Sequence, residues 1–402
     1  MRVHSIRVKN FKALRDVEME NIPGFAVLVG ANGTGKSTFI GLFDFLKDCL
    51  KNDVRAALQR RGGFAQVISR GHESQSIEIE LQIYMDIEAV SKERLVTYRL
   101  EIVEQARKVS VAEESLRFKR GRHGAPYYFI RFEHGRGDAL AESFDAFNSD
   151  VSIEDLEREP QELDAPHILA LKGLGQFRRF DAASQLRELI ENWTVSDFHI
   201  EDARVEPDAA VAEHLNETGS NIALYAQYLR EDHPTEYKTI IEKMARFVPG
   251  IAEVITEDTG DGRVALRFRD AAFDKGFIAR AVSDGTIKMF AYLALLHDPE
   301  PHPLLCIEEP ENQLYPSLLA VLAEQFAEYA RRRRDEGQVF VTTHSPDFLN
   351  EVPLESIYWL KKSEGFTTIH RAADDDQLKA FVDEGDKPGW LWRQRLFQGI
   401  DP

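Results

Sequence analysis

Cysteine is scarce in this 402-residue sequence, and no apolar run is long. Cys49 and Cys306 are the only cysteines, and neither has a cysteine or histidine nearby at metal-ligand spacing. Neither a zinc site nor a disulfide framework is therefore expected. The longest apolar runs, such as residues 290–296, fall far short of the roughly 20 residues needed to cross a bilayer. We expect no membrane-spanning segment.

Basic residues are in deficit, with 50 Lys and Arg against 68 Asp and Glu, and the formal net charge is −18. This charge opposes long-range attraction to nucleic acid, although a local basic patch can still bind a phosphate backbone. The opening MRVHSIRVKNF alternates basic and apolar residues, which predicts a strand and not a signal peptide. We expect a cytoplasmic protein. No heptad run is long enough to form a coiled-coil arm.

Hydrophobic periodicity predicts an α/β fold. Residues 3–8 and 26–29 alternate as strands do, and the second segment leads through a glycine-rich turn into a helical pattern over residues 36–51. An antiparallel meander is predicted over residues 76–84, 94–102, 109–118 and 127–132. The last third of the chain alternates helices with buried strands, as parallel sheets do, over residues 286–297, 304–307, 316–334 and 338–342.

The middle of the chain has a different pattern. Residues 138–243 read as mostly helical and acidic, and prolines interrupt them. We therefore predict two lobes. The first consists of residues 1–135 and 300–402, and the second, residues 136–299, is an inserted and mostly helical lobe.

Residues 30–37 read GANGTGKS, a full match to G-x-x-x-x-G-K-[ST] between a predicted strand and a predicted helix. The glycines let successive N–H groups face a phosphate, and the helix N-terminus adds the positive end of its dipole. Lys36 is expected to reach the β and γ phosphates of ATP, and Ser37 to ligate Mg²⁺. The alternative is a glycine-rich loop without nucleotide. The predicted nucleotide-binding residues are Gly30, Ala31, Asn32, Gly33, Thr34, Gly35, Lys36, Ser37 and Thr38.

The segment LLCIEEPENQLYP, residues 304–316, ends an apolar strand with two carboxylates. In a doubly wound sheet, ligands bind at the carboxyl ends of the strands. Glu308 is expected to hold Mg²⁺ or its water shell, and Glu309 to orient and deprotonate the attacking water. Such a pair taken alone is more often a solvated strand end, but a neighbouring phosphate loop favours catalysis.

Two further segments carry candidate residues. The strand over residues 338–342 ends in THSPDF, which brings His344 to the same edge, where its ring N–H could sense the γ-phosphate. Taken alone, His344 would be a hydrogen-bonded turn residue. In AVSDGTIKMF, Ser283 and Gly285 come just before an amphipathic helix, a pattern typical of a helix cap.

The order GANGTGKST, VSDGT, IEEPE and THS resembles the Walker A, signature, Walker B and switch-histidine motifs of ABC-type ATPases. It is most similar to the RecF, SMC and OLD-like branch of AAA family ATPases, which the opening IRVKNFKALRDVEM also resembles. The resemblance covers residues 1–60 and 215–402 and implies a P-loop ATPase head with an antiparallel β subdomain. It also implies a homodimer with two ATP molecules sandwiched between the heads. Ser283 and Gly285 would contact the γ-phosphate held by the second subunit, and Glu309 would be the catalytic base.

The sequence departs from this family pattern in three places. Glu308 stands where an aspartate is usual, so the extra methylene can change the magnesium shell. The signature reads VSDGT and not LSGGQ. The Q-loop glutamine stays open between Gln66 and Gln75.

The charged and aromatic clusters outside these motifs have simpler interpretations. Residues 331–334, four arginines at a helix end, complement the helix dipole. Arg60, Arg61, Arg70 and residues 117–122 would form a phosphate-facing patch only if they converge. Residues 374–376, three aspartates, resemble a Toprim nuclease triplet, but too little chain follows for that domain, so we interpret them as a helix cap. The aromatic residues of the segment 389–400 are expected to pack on their own domain, although such anchors also dominate interfaces.

The sequence is compatible with three functions. The first is an ATPase in which hydrolysis opens and closes a dimer of heads. The second is a regulatory scaffold whose slow turnover only gates assembly with a partner. A small-molecule kinase is the third and has less support, because VSDGT fits a head ATPase. The resemblance to RecF-like and OLD-like heads, together with the lack of a recognisable nuclease or protease motif, implies a protein effector on another chain, in DNA metabolism or anti-phage defence. DNA remains a candidate partner.

Overall fold

The computed structural model describes residues 1–87, 92–120, 125–142, 156, 158–333 and 337–397. The strands in chain order are β1 (Arg2–Phe11), β2 (Leu14–Met19), β3 (Phe25–Val29), β4 (Ile77–Ile87), β5 (Lys92–Gln105), β6 (Lys108–Phe118), β7 (Tyr127–Glu133), β8 (Arg136–Ala139), β9 (Glu159–Glu162), β10 (Thr194–Ser196), β11 (Ile251–Asp258), β12 (Val264–Asp270), β13 (Phe277–Ile278), β14 (Leu304–Glu308), β15 (Gln338–Thr343), β16 (Ile357–Ser363) and β17 (Phe366–Arg371).

The helices in chain order are α1 (Lys36–Lys51), α2 (Val54–Arg60), α3 (Phe64–Val67), α4 (Ala170–Leu174), α5 (Asp181–Glu191), α6 (Ile200–Ala203), α7 (Ile222–Asp232), α8 (Pro234–Phe247), α9 (Asp284–Leu296), α10 (Pro316–Arg333), α11 (Pro346–Leu349), α12 (Asp376–Asp383) and α13 (Pro388–Arg393). Short 3₁₀ turns cover Ala279–Ala281, Leu354–Ser356 and Ala372–Asp374. Among the described residues, no helix is both long and apolar enough to span a bilayer.

An antiparallel sheet of eight strands forms one side of the molecule, in the order β2-β1-β4-β5-β6-β7-β8-β9. Strand β4 alternates strictly between buried and less buried residues, so only one face of this sheet meets the core. That face packs against α1 in a shared hydrophobic cluster that includes Ile79, Leu81 and Phe43. The predicted meander is confirmed, and β8 and β9 extend it.

A second sheet has the order β10-β14-β15-β3-β16-β17, and all neighbouring strands except β16 and β17 pair in parallel. Strands β3 and β15 are buried at every residue. Alternate residues of β3 belong to two different hydrophobic clusters. Leu28 packs with α1, and Val27 packs with α9 and α10. Helices therefore cover both faces of this sheet, as the apolar runs predicted.

The region predicted as a mostly helical lobe is more mixed. Strands β8 and β9 belong to the antiparallel sheet, and β10 forms the edge of the parallel sheet through its pairing with β14. These strands have only three or four residues, which is too short for a clear alternating pattern. A small sheet, β11-β12-β13, packs with α7, α8 and α9. The division into lobes at residues 135 and 299 stays a prediction.

Candidate functional site

Three neighbouring parallel strands bring the predicted site residues to one edge of the sheet. Strand β15 lies between β14 and β3, with Thr343 opposite Val29 and Thr342 opposite Glu308. The loops that follow these strands therefore start at the same level. They carry the glycine-rich segment, the acidic segment and the histidine, as the sequence predicted for strand ends in a doubly wound sheet.

The glycine-rich loop turns through left-handed backbone at Gly33 (φ 79°) and Gly35 (φ 106°), and α1 starts at Lys36 directly afterwards. Thr34 closes the turn, since its hydroxyl donates to the Ala31 carbonyl at 2.8 Å. Thr367 of β17 donates its hydroxyl to the Thr34 carbonyl at 2.7 Å. The loop is thus held from outside by a residue that the motif does not contain.

Lys36 lies inside this loop and is buried, with 5% of its side chain exposed. Its ammonium group donates to the carbonyls of Gly30 at 2.9 Å and Ala31 at 3.3 Å. The carboxylate of Glu309 lies 3.6 Å from Nζ. The cation therefore faces both the loop and the acidic strand end, which is where a phosphate chain would need it.

Ser37, in the first turn of α1, lies close to Glu308 at the end of β14. Burial raises the pKa of Glu308 above its ordinary value, the Ser37 hydroxyl opposes this rise, and the charges of Asp197 and Glu309 add to it. A cation would relieve this crowding of negative charge. A hydroxyl beside a carboxylate is the type of hard oxygen donor set that Mg²⁺ prefers, so the pair fits the ion.

Glu309 adopts left-handed backbone, with φ 38°, which is uncommon outside glycine. Its N–H donates to the carbonyl of Thr342 at 3.0 Å and to the hydroxyl of the same residue at 3.2 Å. This turn directs the carboxylate toward the loop, within 3.6 Å of Lys36 Nζ and 3.7 Å of His344 Nδ1. Backbone strain of this kind is concentrated at functional sites.

Glu311 was not predicted as a site residue, yet it orients His344. Only 7% of its side chain is exposed. Its Oε1 accepts from the Thr343 hydroxyl at 2.8 Å and from the His344 N–H at 2.7 Å, and lies 3.1 Å from His344 Nδ1. Glu311 therefore fixes the backbone at His344 and lies beside its ring. The third acid of IEEPE was the only sequence signal.

Asp197 was also missed. It follows β10, the edge strand beside β14, and its charge contributes to the raised pKa of Glu308. The three-residue strand β10 carries no periodic signal, so the sequence could not place Asp197 at this edge.

The predicted signature segment caps α9, as its pattern indicated. Ser283 is the N-cap, its hydroxyl accepts from the Thr286 N–H at 3.4 Å, and the residue is exposed. Gly285 is buried, and a Cβ there would lie 3.1 Å from the Gln313 carbonyl. Lys288 donates to the Asn312 carbonyl at 3.0 Å. The segment thus packs against the loop after β14, with Ser283 but not Gly285 at the surface.

Three arginines of the predicted basic patch are paired with acids of the same chain. Arg60 and Arg61 both pair with Asp48 of α1 at 2.7 Å, and Arg61 also pairs with Asp44. Arg117 lies 3.6 Å from Glu80. Gly121, Arg122 and Arg334, which belong to the two predicted basic clusters, lie outside the described residues.

The structure also places the aspartate triplet, two aromatic residues of the C-terminal segment and one of the two Q-loop candidates. Asp375 caps α12 by accepting from the N–H groups of Gln377 and Leu378, so the helix-cap interpretation of the aspartate triplet is confirmed. Phe397 is fully buried against Trp359, while Trp390 is 47% exposed. Gln75 accepts from the Asn10 amide at 3.1 Å, and the Q-loop assignment stays open.

The fold is that of a P-loop ATPase head of the ABC and SMC type. The profile of the family described as "AAA domain, putative AbiEii toxin, Type IV TA system" matches residues 25–350, more than three quarters of the chain. The chain belongs to this family. A search of curated protein sequences finds no match.

Solved structures of SMC heads share the fold. One is a crystal structure of an Smc head bound to the C-winged helix domain of ScpA, with a TM-score of 0.53 and 15% identity over 92% of this chain and 97% of that chain. Another is the Smc head domain derived from Pyrococcus furiosus, bound to the C-terminal domain of ScpA, with a TM-score of 0.50 and 14% identity over 96% of this chain and all of that chain. The predicted fold class and the resemblance to these heads are confirmed.

Proposed function

We propose that this chain binds ATP with Mg²⁺ and hydrolyses it, and that two copies pair around the nucleotide as a switch. The observation that carries the proposal is the convergence of Lys36, Glu309 and His344 at one sheet edge, with Glu309 within 3.7 Å of both other side chains. Family membership and the head fold support nucleotide binding in general.

Each side chain has a distinct proposed role. Lys36 binds the β and γ phosphates, and Ser37 with Glu308 holds Mg²⁺, which supplies neutralisation of phosphate charge when bound. Glu309 accepts the proton of the attacking water. His344, oriented by Glu311, donates from its ring to the γ-phosphate. Ser283 belongs to the surface that meets the nucleotide of the second copy, and its exposure supports this role.

A separate protein partner is part of the proposal. The similar SMC heads are crystallised with a domain of another protein, ScpA. The description of the matching family names a toxin–antitoxin system. This supports a bacterial system of two genes, or a role in defence. DNA has weaker support, because Arg60, Arg61 and Arg117 are engaged by acids of the same chain.

Steady-state ATP turnover and ATP affinity test the catalytic assignment. In Glu309→Gln we expect turnover to fall by about 10²-fold or more with ATP affinity retained, because the amide keeps the shape but cannot accept a proton. Glu351→Gln, which changes a remote glutamate paired with Lys387, should leave both quantities unchanged. Normal turnover in Glu309→Gln, together with loss of turnover in Glu308→Gln, would show that the base is misassigned.

The steady-state rate of ATP turnover also distinguishes the proposed switch from a regulatory scaffold. Enzymes usually turn over at about 1 to 10³ per second. A wild-type rate far below this range, with ATP-dependent pairing intact in light scattering, would favour a scaffold whose ATP binding only gates assembly.

A further inference from the structure

A second cluster of ligating side chains lies away from the nucleotide edge. His214, Asp298 and His302 each offer one ligand atom, and these atoms all lie within 4.8 Å of one another. Oδ2 of Asp298 is 3.2 Å from His214 Nδ1 and 3.7 Å from His302 Nε2. No local sequence pattern predicts this group, because 84 residues separate His214 from Asp298.

The carboxylate is held in place for both imidazoles. Only 1% of the Asp298 side chain is exposed. Its Oδ1 accepts from the N–H of Glu300 at 2.9 Å, so Oδ2 is left to face the two rings. The backbone of His302 is anchored as well, since its carbonyl accepts from the Tyr329 hydroxyl at 2.8 Å.

His302 gives the most direct indication of a ligand. Its Nε2 is buried and has no hydrogen-bond partner among the described residues, and the backbone of Asn192 lies beside its ring. Metal-ligating histidines commonly donate one ring N–H to a backbone carbonyl and bind the ion through the other nitrogen. A simple His214–Asp298 hydrogen bond would account for two of the residues and leave Nε2 of His302 without a partner.

The donor set indicates the type of ion. Two imidazoles and one carboxylate favour a borderline divalent ion such as Zn²⁺ over Mg²⁺, which prefers oxygen ligands. Zinc bonds of about 2.0–2.2 Å separate tetrahedral ligand atoms by roughly 3.3–3.5 Å, close to the distances around Asp298 Oδ2. His214 and His302 also line a cavity of about 740 Å³, which gives an ion and its remaining water ligand access.

We propose that His214, Asp298 and His302 bind one Zn²⁺ ion or a similar divalent transition-metal ion. Asp298 and His302 lie on the connection between α9 and β14, and Glu308 is at the far end of β14. A bound ion therefore ties the segment around His214 to the connection that follows the signature helix. This site is independent of the Mg²⁺ site proposed at Ser37 and Glu308.

Zinc binding to the metal-stripped chain tests the proposal. Isothermal titration with Zn²⁺ should give one equivalent per chain, and Co²⁺ should give a visible absorption band. His214→Gln should weaken Zn²⁺ binding by about 10²-fold or more, since even the loss of a residue that supports a ligand typically costs 10- to 100-fold. The His214 side chain is 45% exposed, so this variant should fold. Asp298→Asn should have a similar effect on Zn²⁺ binding.

Two controls separate this site from other histidines and from the nucleotide edge. His297→Gln changes a neighbouring, mostly buried histidine whose Nδ1 contacts the Leu293 carbonyl, and it should leave Zn²⁺ affinity unchanged. Ser37→Ala should also leave it unchanged. If folded wild-type protein binds no equivalent of Zn²⁺, or if His214→Gln and His302→Gln bind it as tightly as wild type, the proposal is wrong.

Discussion

Gly35 offers a sharp test of how the phosphate loop is held. Its φ of 106° is a backbone conformation that residues with a Cβ rarely adopt. A Cβ added there would also lie well inside 3.0 Å of the Thr367 hydroxyl, which donates to the Thr34 carbonyl. Gly33 has a similar positive φ of 79°, but its added Cβ would meet nothing within 4 Å among the described residues. A comparison of the alanine variants at these two positions therefore distinguishes the cost of backbone strain from the cost of steric overlap.

The expected cost of Gly35→Ala is the sum of two terms. Backbone strain of this kind costs about 1–3 kcal/mol. Thr367, which is 2% exposed, must also move, and a buried carbonyl that loses its donor costs about 1–3 kcal/mol more. We expect a loss of about 2–6 kcal/mol in the free energy of unfolding for Gly35→Ala. For Gly33→Ala we expect about 1–2 kcal/mol, from strain alone.

Urea denaturation followed by circular dichroism measures both losses, and a double-mutant cycle isolates the contact. Thr367→Ala removes the hydroxyl that the new Cβ would meet, so Gly35→Ala should cost less in that background, with a coupling of about 1–3 kcal/mol. Equal losses for Gly33→Ala and Gly35→Ala, together with no coupling to Thr367, would refute the proposed role of Thr367.

Three further predictions concern the nucleotide, the pairing of heads and pH. Lys36→Ala should reduce ATP affinity strongly in a fluorescence titration, because the phosphates lose their main side-chain counter-charge; near-native affinity would contradict the loop assignment. Ser283→Arg should abolish ATP-dependent dimerisation in light scattering while monomer ATP affinity is kept, and an unchanged dimer would contradict its interface role. Burial raises the pKa of Glu114 to about 7, so the protonated form is favoured in the folded state. The stability that this group contributes is present below its unfolded pKa of about 4.3 and is lost as pH rises through about 7, by on the order of 3 kcal/mol relative to Glu114→Gln. Parallel pH profiles of the free energy of unfolding for the two proteins would exclude this effect.

The phosphate loop and the main strands were predictable because their signals are local. GANGTGKS is contiguous, and the alternation of β4 and the apolar run of β14 each extend over several residues. The position of Glu308 and Glu309 at a strand end followed from where that run stops. Parallel strands place their carboxyl ends at one edge, so the sequence also predicted that Lys36, Glu309 and His344 would lie near one another.

The remaining features depend on contacts between residues distant in the chain. Glu311 orients His344 across 33 residues, Thr367 reaches Thr34 across 333 residues, and Asp298 meets His214 across 84 residues. Arg61 is neutralised by Asp48 only because α1 and α2 pack together. No periodic or contiguous sequence pattern predicts these contacts. They form only when separate elements fold against one another and bring their side chains within hydrogen-bonding distance.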